Sequence, residues 1–339
     1  MNDLMLPLLD DEWYRADRAL WAQRRTKIKA AFVDLLGEGV TEPPADLDLQ
    51  WHEEESEEGV LLRKLSFLAE PDDRVYAWLA VPEGVKLPAP AMLCLHGTTA
   101  DAKEACLGRG AHPGGSNGTA LHLARRGFVT LSPDHFCAGE RLKEGEQPYD
   151  PRPFYARHPG WSEMGKDIYD HRLALDVLQR LPEVDKERIG CIGHSLGGYG
   201  SVFLAAMDER ISAAVSSCGV TVWAADNLKF NWSREVPGRY VHFPKLREYW
   251  SKGLRAPVDF HEIMALAAPR ALLNISAVGN DSCFPIFQPF AQLYTEVESV
   301  YKMLGAEGKF ACHFHSCGHS FGKAPRGLAY AWLEEQLMG

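Results

Sequence analysis

Ser195 stands at the centre of Gly193-His194-Ser195-Leu196-Gly197, a G-x-S-x-G spacing that can present a serine hydroxyl for attack on a carbonyl carbon. A hydroxyl at its ordinary pKa is a poor nucleophile, so such a serine needs a base within reach and backbone amides to meet the developing oxyanion. His319, in Ser316-Cys317-Gly318-His319-Ser320-Phe321, can supply the base. Asp281, in Gly279-Asn280-Asp281-Ser282, can supply a carboxylate to orient it. The chain order is then Ser, Asp, His. In that scheme His319 takes the proton from Ser195, while Asp281 holds the imidazole tautomer and stabilises the imidazolium. Asn280 has no charge for this task, and Asp259 and Glu262 are the reserve carboxylates. The simpler alternatives are a helix-capping loop histidine at 319 and an Asx turn at 281.

The oxyanion needs two amides aimed at one point, and the expected pair is Leu196 and Thr98. Thr98 lies in His96-Gly97-Thr98-Thr99, where Gly97 lets the chain turn. His96, Gly97, His135 and His194 are expected around the pocket, with His96 a hydrogen-bonded structural residue and His194 a wall group. Asp134-His135 and Gly139-Glu140-Arg141 are expected to shape its floor through a turn and an ion pair.

These residues need a scaffold, and the apolar periodicity describes one. Residues 12–36 carry Trp13, Leu20, Trp21, Ile28, Phe32 and Leu35 at helical spacing, which predicts one or two amphipathic helices ended by Gly37 and Gly39. The acidic run 52–58 reads as a solvated loop. Runs 60–67 and 75–81 flank Pro71-Asp72-Asp73 as an antiparallel hairpin, and 91–95 is a buried parallel strand. Strands at 128–131, 189–192, 211–216, 271–277 and 310–315 then alternate with helices at 118–126, 165–181, 196–207 and 287–304, before a final helix to Leu337. That alternation predicts a mostly parallel sheet covered on both faces, with active residues at the carboxyl ends of its strands. Segments 135–163 and 220–263 break it and read as insertions over the sheet top. Residues 1–339 form a single domain, with 1–59 as an N-terminal helical extension.

A chain of 339 residues that is 46% hydrophobic can bury a large core. Its net charge of −10, without a basic block, excludes a nucleic-acid surface. No apolar run is long enough for a membrane span, and the amino terminus lacks the basic and apolar regions of a signal peptide, so a cytoplasmic protein is expected. The eight cysteines are scattered, as free buried thiols in a reducing compartment would be. The tail Cys312-His313-Phe314-His315-Ser316-Cys317-Gly318-His319 has the residue types of a soft-metal cluster. Strand alternation sends Cys312 and His313 to opposite faces, and His319 is committed to Ser195, so no metal site is expected.

His96-Gly97-Thr98, Ser132-Pro133-Asp134-His135, Gly193-His194-Ser195-Leu196-Gly197-Gly198, Asp281 and Gly318-His319-Ser320 together resemble the α/β-hydrolase superfamily. Within it the chain looks like the dienelactone hydrolase-like and acetyl xylan esterase-like bacterial esterases, from about residue 60 onward. The resemblance implies an α/β-hydrolase fold with an eight-stranded, mostly parallel sheet, a Ser-His-Asp triad and no cofactor. Dienelactone hydrolases carry cysteine as the nucleophile, and Ser195 at that position favours ordinary esters over lactones. The expected activity is carboxylic-ester hydrolysis through an acyl-enzyme, on small or carbohydrate-linked acetyl esters. The expected partner is a small-molecule ester, with self-association left open. Two alternatives stand beside it. A serine peptidase of the prolyl oligopeptidase type usually carries a propeller, for which the roughly 90 residues before His96 leave little room. A non-catalytic binding protein on a hydrolase scaffold tends to lack a triad member, and all three candidates are present.

Overall fold

Short apolar runs bounded by turn residues become strands, and the longer amphipathic stretches between them become helices. The computed structural model describes residues 8–9, 18–37, 44, 46–110, 118–233, 241–284 and 288–339. Helix α1 (Arg18–Leu36) precedes strands β1 (Gln50–Glu57), β2 (Val60–Glu70), β3 (Asp73–Pro82) and β4 (Ala89–Leu95). There follow α2 (Thr119–Ala124), β5 (Val129–Pro133), α3 (Arg152–Arg157), α4 (Glu163–Arg180), β6 (Val184–His194), α5 (Leu196–Met207) and β7 (Ile211–Ser217). The chain ends with α6 (Leu246–Ser251), α7 (Phe260–Ala265), β8 (Ala271–Ala277), α8 (Gln288–Leu304), β9 (Phe310–His315) and α9 (Lys323–Leu337).

Among the described residues nine strands join one sheet in the order β1-β2-β3-β5-β4-β6-β7-β8-β9. Its first four strands in that order pair antiparallel, and β5 through β9 pair parallel. Strand alternation divides the core between the two faces. Leu93 and Cys191 point toward Phe32 of α1, Leu173 of α4 and Phe203 of α5, in one apolar cluster. Met92, Cys94 and Ile192 point the other way, toward Leu123 of α2 and Tyr330 and Leu333 of α9.

The mostly parallel sheet with helices on both faces is the architecture expected, but the eight strands become nine. The additional strand is β1, drawn from the acidic run read as a loop within a helical extension. Its residues are exposed almost throughout, so no apolar alternation marks it. It is held by backbone pairing to β2 and by ion pairs such as Arg63 to Glu54 and Lys64 to Glu53. A charged, exposed edge strand of this kind discourages pairing with another chain.

Helix α1 buries Trp21, Ile28, Phe32, Leu35 and Leu36, while Leu20 faces solvent, 56% exposed. Trp13 and Gly39 lie outside the described residues. Gly37 ends the helix at φ +89°, where a Cβ would sit 2.3 Å from the Gly160 carbonyl oxygen. Among the described residues no helix is long and apolar enough to cross a membrane. Segment 135–163 holds α3, and segment 220–263 holds α6 and most of α7. Residues 234–240 of the latter lie outside the described residues.

Candidate active site

The turn between β6 and α5 carries Ser195 at φ 57°, ψ −116°, a conformation that costs energy for any residue with a Cβ. Its surroundings hold it there. Ser195 N–H donates to Ser217 O at 2.8 Å, and Ser195 O accepts from the amides of Gly198 and Tyr199 at 2.8 and 3.0 Å. A Cβ on Gly193 would lie 2.2 Å from Gly197 O, and one on Gly197 would lie 2.1 Å from Leu95 O. Backbone crowding therefore demands both glycines of the motif.

His319 reaches this serine from the loop after β9. Its Nε2 lies 2.9 Å from Ser195 Oγ, and its Nδ1 lies 3.0 and 3.1 Å from the two Asp281 carboxylate oxygens. Asp281, in the loop after β8, is 3% exposed, and its Oδ1 also accepts the N–H groups of Cys283 and Phe284. Asn280 has a part that the residue types did not suggest: its side chain bonds Ser316 O at 2.7 Å and Gly318 N–H at 3.2 Å, tying the two loops together. The reserve carboxylates are placed elsewhere. Asp259 and Glu262 form the capping box of α7, and Asp259 also accepts the amides of Trp223 and Ala224.

Charge balance in this cluster favours a protonated imidazole at rest. Burial works against the cation, but the hydrogen bonds and charges of Asp281 and Cys283 outweigh it and lift His319 to about 9. The same contacts act on the partners. Burial would raise Asp281, yet His319 holds it below the usual carboxylate range. The His319 hydrogen bond lowers the Cys283 thiol. His194 is the opposite case: burial and the neighbouring His319 press it down to about 3. It is a neutral wall, its ring centroid 4.9 Å from that of His319 and its Nδ1 3.1 Å from Ser217 Oγ.

The loop after β4 is fixed from beneath and from above. His135 N–H donates to His96 Nε2 at 3.0 Å, and His135 Nε2 lies 2.8 Å from His96 O. Both rings are at most 1% exposed, so these two expected pocket residues sit inside the protein, where their mutual bonds satisfy groups that water cannot reach. From the 135–163 insertion, the Tyr149 hydroxyl accepts Thr99 N–H at 2.9 Å and donates to Thr99 O. Gly97 is buried and Thr98 exposed. Leu196 opens α5, and its amide is one of the first-turn donors that a helix leaves unpaired. The expected ion pair in the floor runs to a third residue: Lys103 binds Asp134 at 2.7 Å and Glu140 at 2.6 Å, and Arg141 turns to Asp73 and Asp170.

An aromatic wall completes one side. Phe284 lies 5.7 Å from the His319 ring and 6.3 Å from Trp232, which packs on Tyr199 and His242. The only sign of it in the sequence is the aromatic density of 220–263. Of the tail 312–319, only His319 enters a group with metal-ligand spacing among the described residues; it does so with Cys218 and Asp281, and its own bond to Asp281 already joins two of the three. A cavity of about 230 Å³ lies apart from the serine, beside the β2–β3 turn. The buried cations that line it, Arg141 and Lys166, are paired with Asp73 and Asp170.

A mostly parallel sheet that presents a serine on a strained strand-to-helix turn, here between β6 and α5, is the architecture of an α/β-hydrolase. The chain belongs to the abhydrolase family, whose model matches residues 15–313. It is 28% identical over 267 residues to YtaP of Bacillus subtilis (strain 168), a protein named as a hydrolase, over 78% of this chain and 84% of YtaP. It is 26% identical over 152 residues to the carbohydrate esterase MZ0003 of an unknown prokaryotic organism, over 44% of this chain and 35% of that protein. Among solved structures, a glucuronoyl esterase from Solibacter usitatus shares the fold with a TM-score of 0.74 at 19% identity, covering 95% of this chain and 94% of that one.

Proposed function

We propose that this α/β-hydrolase is a serine esterase that cleaves small or carbohydrate-linked carboxylic esters through an acyl-enzyme. The observation that carries this reading is the continuous hydrogen-bonded line from Ser195 Oγ through His319 to both oxygens of Asp281. As Ser195 attacks the ester carbonyl, His319 Nε2 takes the hydroxyl proton and Asp281 stabilises the imidazolium. The amides of Leu196 and Thr98 receive the oxyanion. His319 returns the proton to the departing alcohol, and water repeats the sequence on the acyl-enzyme. A carbohydrate-linked substrate is supported by the aromatic wall of Trp232 and Phe284 beside His319, by the activity named for MZ0003 and by that named for the Solibacter structure.

The test is a panel of p-nitrophenyl acetate, a long-chain p-nitrophenyl ester, an acetylated sugar and a methyl-esterified uronate. Turnover of the short and sugar-linked esters above that of the long chain is expected; no turnover of any ester would overturn the reading.

His319 must be neutral to act as a base, so kcat/KM is expected to climb as pH rises and to level off only above the ordinary histidine range, toward the pKa of about 9. Cys283→Ser removes one of the groups that lift His319, so the midpoint should move to lower pH with the plateau rate kept within about threefold. An unmoved midpoint would remove Cys283 from the site's electrostatics.

A further inference from the structure

His135, Asp167 and His171 form a second ionisable cluster that the esterase reading does not use. His135 follows β5, and Asp167 and His171 lie four residues apart on α4. All three are 1–2% exposed, and each offers one ligand atom that lies within 4.8 Å of the other two. His171 Nε2 lies 3.2 Å from His135 Nδ1, and Asp167 Oδ2 lies 3.5 Å from that same nitrogen. Tetrahedral bonds of about 2.0–2.1 Å place neighbouring ligand atoms roughly 3.3 Å apart. These two separations are those of edges of a coordination tetrahedron.

We propose that His135 Nδ1, His171 Nε2 and Asp167 Oδ2 bind one divalent transition cation of the zinc type, which pins the loop after β5 to helix α4.

The surroundings prepare two of these atoms as ligands. His135 Nε2 faces the His96 carbonyl oxygen, so its proton belongs there and the Nδ1 lone pair is left for the cluster. Asp167 Oδ1 accepts Phe136 N–H at 3.0 Å, which fixes the carboxylate with Oδ2 turned inward. Such outer partners are what orients metal-binding imidazoles and carboxylates. A second observation points to a ligand. Asp167 and Glu163, one helical turn apart, are buried carboxyls close enough to share a hydrogen bond, and no further partner serves Asp167 Oδ2 or Glu163 Oε1 among the described residues. The other oxygen of Glu163 is taken by His242 Nδ1 at 2.8 Å. Two adjacent buried carboxyls need a proton or a cation between them, and a cation at Asp167 Oδ2 would serve as that compensation. Imidazole and carboxylate donors without thiolate suit zinc, and also cobalt as its probe. On binding, the ring proton of His171 shifts from Nε2 to Nδ1, so that a neutral imidazole offers its Nε2 lone pair to the cation. Hydrogen bonds tie these side chains to His96, Phe136 and one another and not to Ser195 or His319, which makes the cation structural.

The experiment uses the full chain. Metal content is measured after stripping with dipicolinate and again after refolding with zinc or cobalt, alongside thermal unfolding and visible absorption. One equivalent per chain is expected, with a four-coordinate cobalt spectrum and a gain in Tm on the order of 5 °C at saturating metal. Asp167→Asn and His171→Gln should each retain under a tenth of an equivalent, while His319→Gln keeps the full one. The wild-type measurements stand even where a variant fails to fold. Less than a tenth of an equivalent in refolded wild type, with Tm unmoved, would overturn the proposal. So would loss of the metal in His319→Gln and its retention in His171→Gln, which would place it at Cys218, Asp281 and His319. The proposal does not rest on ester hydrolysis, and neither result decides that activity.

Discussion

Ser195→Ala is expected to lower kcat for ester hydrolysis by a factor on the order of 10⁶, the size of loss seen when the nucleophile of a serine triad is removed. The fold should be untouched. Alanine keeps the Cβ, so the unfavourable backbone of the turn at φ 57° costs the variant what it costs the wild type. The bonds that hold the turn, to Ser217 O and from the Gly198 and Tyr199 amides, are made by backbone atoms. What is removed is the oxygen 2.9 Å from His319 Nε2. Steady-state rates on p-nitrophenyl acetate with thermal unfolding of the same samples make the check. A variant with an unchanged Tm and a rate within tenfold of wild type would take the nucleophile away from Ser195.

Asp281→Asn should lower kcat by about 10⁴, with a physical cause distinct from simple loss of charge. Oδ1 of Asp281 accepts the Cys283 and Phe284 amides at 2.8 and 2.9 Å, so the asparagine carbonyl oxygen is held in that place. Its NH₂ group is then turned on His319 Nδ1, which must accept. The ring proton moves to Nε2, where it blocks transfer from Ser195. The same substitution has a signature in stability. His319 is raised in the folded protein, so its contribution is complete below the unfolded value of 6.5 and disappears as pH rises through about 9. Asp281 is lowered, so its contribution is present above the unfolded 3.8 and disappears in acid. The variant should therefore lose more stability relative to wild type at pH 6 than at pH 10, measured by urea unfolding. An equal loss at both would mean that Asp281 supports the loop alone and leaves His319 unaffected.

The legible parts of this protein are those governed by neighbours in the chain. Residues 189–207 announce a strand, a crowded turn and a helix, because no side chain fits at Gly193 or Gly197 and because apolar periodicity changes from strand to helix across Ser195. The buried strands at 91–95 and 271–277 are readable for the same reason. Strand β1 was not, since an edge strand whose side chains face water carries no alternation. Nor were the positions of His96 and His135, because a histidine beside a glycine turn has the same appearance in a sequence whether it lines a pocket or lies under one. Helix α4 hid the meeting of Asp167 and His171 with His135, because its polar residues face a buried cluster and not solvent.

Local sterics and hydrophobic period thus decided the order of the elements, their mostly parallel pairing and the presence of a serine on a strand-to-helix turn. Tertiary packing decided which distant groups meet. His319 joins Ser195 across 124 residues and Asp281 across 38, and Asp259, as good a carboxylate by type, is turned instead into the cap of α7. Tyr149 clamps the loop that carries Thr98, and Phe284 and Trp232 wall the site, through contacts no spacing encodes. The physical reason is that backbone conformation depends on adjacent residues, whereas the distance between two side chains depends on how every intervening element fills the core.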